Sequence, residues 1–260
     1  MNANASKVAL VTGASRGIGR AASYELAKQG YFVVVHYKAN HAAAEETLAE
    51  IRKLGADGFA VSADLDKLEG IDQLFSALDK GLASRGKPAQ LDLLVNNAGV
   101  ADGGTLADTT PELFDRQFTL NVKAVFFTTQ KALERMPDGA RIVNLSSVLS
   151  SRVFEAAGQF NALSAYSASK GAIDTLTRHW AVELGPRGIL VNAVAPGPVD
   201  TDMNAAWLRT DAGRATAIGA SPLGRVGTAG DIANVIGFLA SPASQWTTGQ
   251  VIDASGGYRL

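Results

Sequence analysis

The chain has 260 residues, 47% of them hydrophobic, with 24 basic and 25 acidic side chains and no cysteine. This length allows one large α/β core, the balanced charge offers no basic stripe for nucleic acid, and the lack of cysteine excludes disulfides, thiolate catalysis and cysteine-ligated zinc within this sequence. The polar start of the sequence and the lack of an apolar run of about 18 residues predict a soluble, cytoplasmic protein that does not span a membrane.

Short apolar runs alternate with longer amphipathic runs, as expected where strands and helices alternate along a chain. The predicted strands are Val8–Val11, Tyr31–Val35, Gly58–Val61, Leu91–Val95, Ala140–Leu145, Ile189–Val194 and Gln250–Asp253. The predicted helices are a stretch from a glycine-rich turn to Gln29, then Ala42–Leu54, Leu68–Ser84, Pro111–Arg135 and Ala165–Leu184. Such alternation is typical of a parallel sheet covered by helices on both faces. We therefore predict a three-layered, Rossmann-type, doubly wound α/β fold in a single domain over residues 1–260.

The glycine-rich turn, Thr12–Gly19, follows the first predicted strand and opens the first helix. Glycines allow a tight turn and a close approach of the backbone to a ligand, and the free N–H groups of a helix N-terminus attract a pyrophosphate. The spacing is G-x-x-x-G-x-G rather than the usual G-x-G-x-x-G. Its place after the first strand still favours a dinucleotide site, with contacts expected from Gly13, Ser15, Arg16, Gly17, Ile18 and Gly19.

The end of the second predicted strand, Val35–Asn40, indicates which dinucleotide is bound. An Asp or Glu at this place commonly binds the ribose 2′-hydroxyl of NAD, and this segment has neither. Lys38 and Arg16 would instead attract a 2′-phosphate. The sequence therefore favours NADP(H) over NAD(H). The alternative is that Lys38 is an ordinary solvated residue.

Tyr166 and Lys170 are four residues apart in a run that predicts a helix. About one helical turn separates them, so both side chains leave the same face. A lysine cation near a phenol lowers the pKa of that phenol, which would make Tyr166 a proton donor and acceptor near neutral pH. The alternative is a solvated surface pair. By contrast, His36, His41 and His179 lack the spacing of metal ligands, and we predict no metal site.

These motifs, taken in order, resemble those of the short-chain dehydrogenase/reductase family from Lys7 to Gly257. The matching segments are Thr12–Gly19, Asn96–Gly99, Asn121, Ser146–Ser147, Tyr166–Lys170 and Pro196–Thr201. The resemblance implies that Tyr166 protonates a carbonyl oxygen as hydride arrives, and that Ser147 stabilises the charge on this oxygen. It also implies that Lys170 binds ribose hydroxyls and lowers the Tyr166 pKa. Asn121 would hold a water that relays protons to Lys170.

The resemblance implies further cofactor contacts beyond the glycine-rich turn. Asp64 and Leu65 would contact the adenine. The remaining contacts are expected from Asn97, Ala98, Gly99, Tyr166, Lys170, Pro196, Gly197, Val199 and Thr201. Of the two adjacent serines, Ser147 is preferred over Ser146 because the second serine of such a pair usually has the catalytic role.

The implied function is NADP(H)-dependent reduction of a carbonyl group, or the reverse oxidation of a secondary alcohol. In pattern the chain is most similar to 3-oxoacyl-acyl-carrier-protein reductases, and dehydrogenases of sugars, polyols or other small alcohols are the alternative. Enoyl reductases of this fold space the tyrosine and lysine more widely. A non-catalytic nucleotide-binding sensor, a second alternative, would not need the four catalytic residues. Members of the family often pair the helices that carry Asn121 and Tyr166, which implies a homotetramer or homodimer.

Two segments outside the motifs concern the substrate. Ser150–Leu163 is several residues longer than is usual in the family, and would either cover the substrate pocket or bulge away from it. Residues 200–222 contain Met203, Trp207 and Leu208. They predict an amphipathic lid over the substrate, with a plain packed helix as the alternative.

Overall fold

The computed structural model describes residues 7–153 and 163–260. A seven-stranded sheet lies at its centre, and every neighbouring pair of strands in it is parallel. The strands are β1 (Val8–Val11), β2 (Phe32–Tyr37), β3 (Gly58–Ser62), β4 (Leu93–Asn96), β5 (Arg141–Leu145), β6 (Leu190–Pro196) and β7 (Val251–Ala254). Their order across the sheet is β3-β2-β1-β4-β5-β6-β7. This order confirms the predicted doubly wound, Rossmann-type fold.

Helices cover both faces of the sheet. They are α1 (Gly17–Lys28), α2 (His41–Lys53), α3 (Leu68–Ala83), α4 (Pro111–Phe118), α5 (Ala124–Leu133), α6 (Ser164–Leu184), α7 (Ala205–Leu208), α8 (Asp211–Gly219) and α9 (Ala229–Ala240). On one face the core joins Leu10 of β1 to Leu74 of α3 and Ile173 of α6. On the other face it joins Val11 of β1 to Ile236 of α9. Because successive strand residues point to opposite faces, the short apolar run of β1 supplies both cores.

The strand order creates a crevice between β1 and β4. The chain runs outward from β1 to β2 and β3, and then returns to β4 on the other side of β1. The connections that follow β1 and β4 therefore leave the sheet on opposite faces and separate at its carboxyl edge. The glycine-rich turn follows β1 and the Asn97–Gly99 segment follows β4, so the fold brings two of the predicted motifs to one crevice.

Two helical regions differ from the prediction. The sequence predicts one helix over Pro111–Arg135, whereas the structure has α4 and α5 joined by a π-helical turn at Thr119–Lys123. A single π-helical turn leaves the spacing of hydrophobic residues almost unchanged, so the sequence pattern does not reveal it. Such turns are frequent at functional sites. Helix α9 is missing from the prediction, although Thr228 and Asp231 form a capping box at its start. This pair is the sequence signal that would have revealed the helix.

Two further properties apply to the described ranges. Within residues 7–153 and 163–260, no helix combines the length and the apolar character that a bilayer crossing requires. In the same two ranges, no group of three or more His, Asp or Glu side chains is arranged to hold a metal ion.

Candidate active site

The glycine-rich turn has a conformation that requires two of its glycines. Gly13 and Gly17 have φ angles of +64° and +56°, in the left-handed region that strains a residue with a Cβ atom. Gly19 is required for another reason, since a Cβ there would lie 2.4 Å from Asn97 Nδ2 and 2.5 Å from the Gly13 carbonyl. Gly19 lies beneath the turn and outside the linings of the cavities above it. The structure therefore gives Gly19 a packing role, and its predicted cofactor contact stays a prediction.

Hydrogen bonds join this turn to the segment that follows β4. The Thr12 hydroxyl accepts from the N–H groups of Asn97 at 2.9 Å and Ala98 at 3.0 Å. Asn97 Nδ2 donates in return to the carbonyls of Thr12 at 2.8 Å and Gly13 at 3.1 Å. Asn97, which the sequence predicts as a cofactor contact, therefore also holds the two sides of the crevice together.

Lys38, the predicted 2′-phosphate contact, lies between two carboxylates. Its Nζ is 2.8 Å from Asp64 Oδ1 and 2.6 Å from Asp66 Oδ2. The hydrogen bonds to these two acids raise the pKa of Lys38. The hydrogen bond between Lys38 and Asp64 also lowers the pKa of Asp64. Arg16 is exposed, with its guanidinium 3.8 Å from Asp202. Sequence reasoning found no acid beside Lys38 because both carboxylates follow β3, not β2.

The phenol of Tyr166 lies beside the hydroxyl of Ser147, just beyond the carboxyl end of β5. Both residues are buried. Burial raises the pKa of Tyr166, and a hydrogen bond with Ser147 opposes this effect more weakly. Ser147 Oγ also accepts from the N–H of Leu149 at 3.2 Å. Tyr166 is therefore protonated at neutral pH and has Ser147, rather than Ser146, as its hydrogen-bonding neighbour.

Lys170 follows Tyr166 by one turn of α6, with its ammonium 5.7 Å from the centre of the tyrosine ring. The Lys170 Nζ donates to the carbonyl of Leu145 at 2.7 Å. Burial lowers the pKa of Lys170 to about 8, and the charge of Asp174 opposes this change. The prediction that Lys170 lowers the Tyr166 pKa is wrong for this structure, because burial of the phenol is the larger effect and the opposing contribution comes from Ser147.

Asn121 lies in the π-helical turn and is fully buried. Its Nδ2 donates to the Val100 carbonyl at 2.9 Å and to Ser169 Oγ at 3.0 Å, and its Oδ1 accepts from the Val100 N–H at 2.9 Å. The side chain thus ties the loop after β4 to α6, the helix that carries Tyr166 and Lys170. The water relay through Asn121 stays a prediction.

A buried pair behind the catalytic groups was missed by sequence reasoning. Ser146 Oγ donates to Asp174 Oδ1 at 2.5 Å and lies 3.5 Å from the carbonyl of Lys170. Asp174 is buried and lies one turn beyond Lys170 on α6. The spacing of Tyr166, Lys170 and Asp174 at four-residue intervals is the signal that would have found it.

The segment predicted to pack on the nicotinamide, Pro196–Thr201, lies across the crevice from the glycine-rich turn. Thr201 Cγ2 is 3.6 Å from the place that a Cβ would take on Gly17. Asn204 Nδ2 donates to the carbonyl of Val199 at 2.9 Å, which holds the end of this segment. The segment therefore closes the crevice on the side opposite Asn97.

These elements enclose two adjoining cavities. The larger, of about 470 Å³, is lined by the glycine-rich turn, Lys38, Asp64, Leu65 and Asn97–Gly99. The smaller is lined by Ser147, Tyr166, Lys170, Pro196, Gly197 and Val199. Six residues line both cavities: Ile18, Asn97, Gly99, Val100, Thr201 and Met203. The volume suits a cofactor, and all the predicted cofactor and catalytic residues except Gly19 and Asn121 line one continuous groove.

The predicted insertion Ser150–Leu163 falls largely on residues 154–162, which lie outside the described residues. On one side of them, Arg152 is paired with Asp253 Oδ2 at 2.5 Å. On the other side, Leu163 forms a β-bridge with Gly104 and lines the smaller cavity. The two described ends of the insertion are thus fixed to β7 and to the loop after β4.

Comparisons with known proteins agree with this geometry. A family model described as "Enoyl-(Acyl carrier protein) reductase" matches residues 13–259. "Short-chain dehydrogenase/reductase FrzI" of Cladobotryum sp is 40% identical over 259 residues, which cover 96% of this chain and 95% of that protein. This chain belongs to the short-chain dehydrogenase/reductase family. It is therefore an oxidoreductase, as the resemblance of its motifs implies.

Other members of the short-chain dehydrogenase/reductase family are similar over the same length. Tetrahydroxynaphthalene reductase of Pyricularia oryzae is 39% identical over 265 residues, covering 96% of this chain and 89% of that protein. The crystal structure of angucycline C-6 ketoreductase LanV with bound NADP superposes with a TM-score of 0.90 at 44% identity, covering 98% of this chain and 96% of that one. The match extends over the whole groove and not only over the nucleotide-binding half.

Proposed function

We propose that this short-chain dehydrogenase/reductase uses NADPH to reduce a ketone on a fused-ring aromatic molecule. The observation that carries the proposal is the groove in which Ser147, Tyr166 and Lys170 adjoin the cavity of the glycine-rich turn. A non-catalytic nucleotide sensor would need that turn but would not need a buried phenol, hydroxyl and ammonium at one end of it.

NADP(H) fits the larger cavity. No side chain caps the N-terminus of α1, so its first N–H groups are available to a pyrophosphate above Gly13 and Gly17. Arg16 and Lys38 offer positive charge to a 2′-phosphate, although Lys38 also pairs with two carboxylates. The similar ketoreductase LanV binds NADP. When bound, NADPH supplies the hydride for the reaction.

The residues of the chain supply the proton and hold the substrate oxygen. Tyr166 is protonated at neutral pH because burial raises its pKa, and it donates this proton as negative charge develops on the ketone oxygen. Ser147 donates a hydrogen bond to the same oxygen and stabilises that charge. As a cation, Lys170 would bind the ribose hydroxyls of the cofactor and would keep a proton close to Tyr166. Oxidation of the alcohol reverses each of these transfers.

The lining of the smaller cavity supports an aromatic substrate. Its apolar and aromatic side chains include Val148, Leu149, Leu163, Met203, Trp207 and Tyr258. Such a wall favours a flat ring system over a sugar or polyol, whose hydroxyl groups would lose hydrogen bonds to water without gaining partners. The names of two similar proteins refer to tetrahydroxynaphthalene and to an angucycline, both of which contain fused rings. These observations favour ring ketones over the 3-oxoacyl thioesters that the motifs first suggest.

A panel of substrates tests the proposal. The absorbance of NADPH is followed with α-tetralone, a 3-oxoacyl thioester, a ketose and an enoyl thioester, each with NADH as a second cofactor. We expect kcat/KM with NADPH to be at least about tenfold higher for α-tetralone than for the other compounds. A preference for the 3-oxoacyl thioester would overturn the substrate class alone. Turnover of only the enoyl thioester would contradict carbonyl reduction itself.

A further inference from the structure

His36, near the end of β2, connects two parts of the groove without lining either cavity. It is 2% exposed. Its Nδ1 accepts from the N–H of Gly13 at 3.1 Å, and its Nε2 lies 3.1 Å from the carbonyl of Ala63. The backbone carbonyl of His36 accepts in addition from the N–H of Ala14 at 2.8 Å. Gly13 belongs to the glycine-rich turn, and Ala63 directly precedes Asp64 at the adenine end of the larger cavity.

These two partners determine the state of the imidazole. A peptide N–H can only donate and a peptide carbonyl can only accept, so Nδ1 is the unprotonated acceptor and Nε2 carries the proton. Burial lowers the pKa of His36 to about 4, which keeps the ring neutral at neutral pH. The ring is therefore a fixed link with one accepting and one donating side.

The strand order explains why a single side chain reaches both segments. Strand β2 lies between β1 and β3. Strand β1 ends at Val11, two residues before Gly13, and β3 ends at Ser62, one residue before Ala63. His36 thus lies on the middle strand, beside the residues that closely follow β1 on one side and β3 on the other. The two segments would otherwise be separated by the width of β2.

We propose that His36 is a positioning residue for the cofactor, whose two hydrogen bonds set the relative placement of the pyrophosphate-binding turn and the adenine-binding loop. This inference rests on the NADP(H) site of the proposed function. Each bond then affects one end of the cofactor. Loss of the bond to Gly13 loosens the pyrophosphate end, and loss of the bond to Ala63 loosens the adenine end.

Two variants of similar shape separate the two bonds. In His36→Asn the side-chain oxygen takes the place of Nδ1 and keeps an acceptor for Gly13. In His36→Gln the amide nitrogen takes the place of Nε2 and keeps a donor for Ala63. Calorimetry gives the dissociation constants of NADP⁺ and of adenosine 2′-monophosphate, which lacks the pyrophosphate. His179→Gln, at an exposed histidine of α6, is the matched control, and thermal unfolding is recorded for every variant.

We expect His36→Gln to weaken NADP⁺ binding about fivefold and to leave the binding of adenosine 2′-monophosphate unchanged, because only the pyrophosphate end is loosened. His36→Asn should weaken the binding of both ligands by a similar factor, because both contain the adenosine. His179→Gln should change neither. Unchanged affinities in both variants would overturn the inference. The inference would also be overturned if both variants lost affinity equally for both ligands and in proportion to a fall in unfolding temperature. That result would indicate that His36 has only a structural role.

The failure of the proposed function gives a different result. If the wild-type protein binds no NADP⁺, both the proposed function and this inference are overturned. If the wild-type protein binds NADP⁺ and the His36 variants bind it equally well, only the inference is overturned. If the variants do not fold, nitrogen NMR of the histidine rings in the wild-type protein decides the question. We expect the Nε2–H tautomer of His36 with and without NADP⁺. An Nδ1–H ring or an imidazolium at neutral pH would contradict the link.

Discussion

The floor and the cover of the groove are held together by different interactions. The floor consists of Thr12–Gly19, Asn97–Gly99 and Tyr166–Lys170, which lie at the ends of buried strands or on α6. Short hydrogen bonds join the first two segments to each other, and another joins Lys170 to the carbonyl of Leu145 in β5; all of them are largely shielded from water. The cover consists of residues 200–222, with α7 and α8. It packs around a small cluster of its own with Leu208, apart from the two cores of the sheet.

Exposed ion pairs connect the parts of the cover. Arg209 is 3.7 Å from Asp200 and 3.4 Å from Asp202, and Arg214 is 3.6 Å from Asp200. Pairs of this kind contribute little to stability, because water and salt screen them. The contacts that hold the floor together are therefore better shielded from water than the ion pairs of the cover. We propose on this basis that residues 200–222 act as the substrate lid and determine which ketone is reduced.

The first prediction concerns the stability of the floor. Thr12→Val removes the acceptor of the Asn97 and Ala98 N–H groups. We expect the free energy of unfolding, measured with urea, to fall by about 2 kcal/mol, because the Ala98 N–H loses its acceptor in a shielded site and the Asn97 N–H keeps only the carbonyl of Val95. Thr12→Ser keeps the hydroxyl and should cost less than about 1 kcal/mol. A valine variant as stable as the serine variant would show that these bonds do not hold the floor together.

The second prediction concerns the positive charge of Lys170 in the floor. Burial lowers the pKa of Lys170 to about 8, below its ordinary value, so the cation is present below this pH and is lost above it. We expect kcat/KM for reduction to be constant below that pH and to fall about tenfold per pH unit above it.

Lys170→Arg is the control for this profile. Arginine keeps its charge throughout the range, so the variant should be slower than wild type but should lack the decrease above pH 8. If kcat/KM of the wild-type enzyme does not fall above pH 8, or if kcat/KM of the arginine variant falls in the same way, then loss of the Lys170 charge does not cause the decrease.

The third prediction concerns the cover. Trp207 lines the smaller cavity and not the larger one. We expect Trp207→Ala to raise KM for the ring ketone about tenfold, because apolar contact with the substrate is lost, and to leave the dissociation constant of NADP⁺ unchanged. Steady-state kinetics and calorimetry measure the two effects. Trp207→Phe should recover much of the loss. An equal weakening of the cofactor would mean that the floor and the cover are not independent.

The smallest expected effect concerns Lys38 and Asp66, which line the larger cavity beside the floor. Asp66→Asn removes one of the two carboxylates that neutralise Lys38. We expect NADPH to bind about threefold more tightly and NADH to be unaffected, since only NADPH has the 2′-phosphate. The gain is small because the side chain of Lys38 is 57% exposed, and it should shrink further at high salt. The same gain with NADH would contradict a role of Lys38 at the 2′-phosphate.

Much of the floor could be predicted from the sequence because each part of it is a short, continuous segment. The four-residue spacing of Tyr166 and Lys170 defines a helix face without any knowledge of the fold. The same holds for Thr12–Gly19, where the glycine positions and the preceding strand indicate both the turn and its ligand. The order of these segments along the chain then identified the family.

The residues that adjust these groups could not be predicted, because they meet only after folding. Asp66 is 28 positions from Lys38, and Ser146 is 28 positions from Asp174. His36 likewise contacts Ala63 across 27 positions. Each contact depends on the strand order and register, which no local pattern specifies. The homotetramer and the cytoplasmic location stay predictions, since neither follows from the contacts within one chain.

One measurement tests the central claim most directly, namely that hydride reaches a carbonyl carbon while Tyr166 protonates the oxygen. NADPH deuterated at C4 of the nicotinamide is incubated with the enzyme and α-tetralone, and the product is examined by NMR. We predict deuterium on the carbinol carbon with the wild-type enzyme, and a rate about a thousandfold lower with Tyr166→Phe at unchanged NADP⁺ affinity. Deuterium on a carbon other than the carbinol carbon, or full activity without the phenol, would contradict this claim.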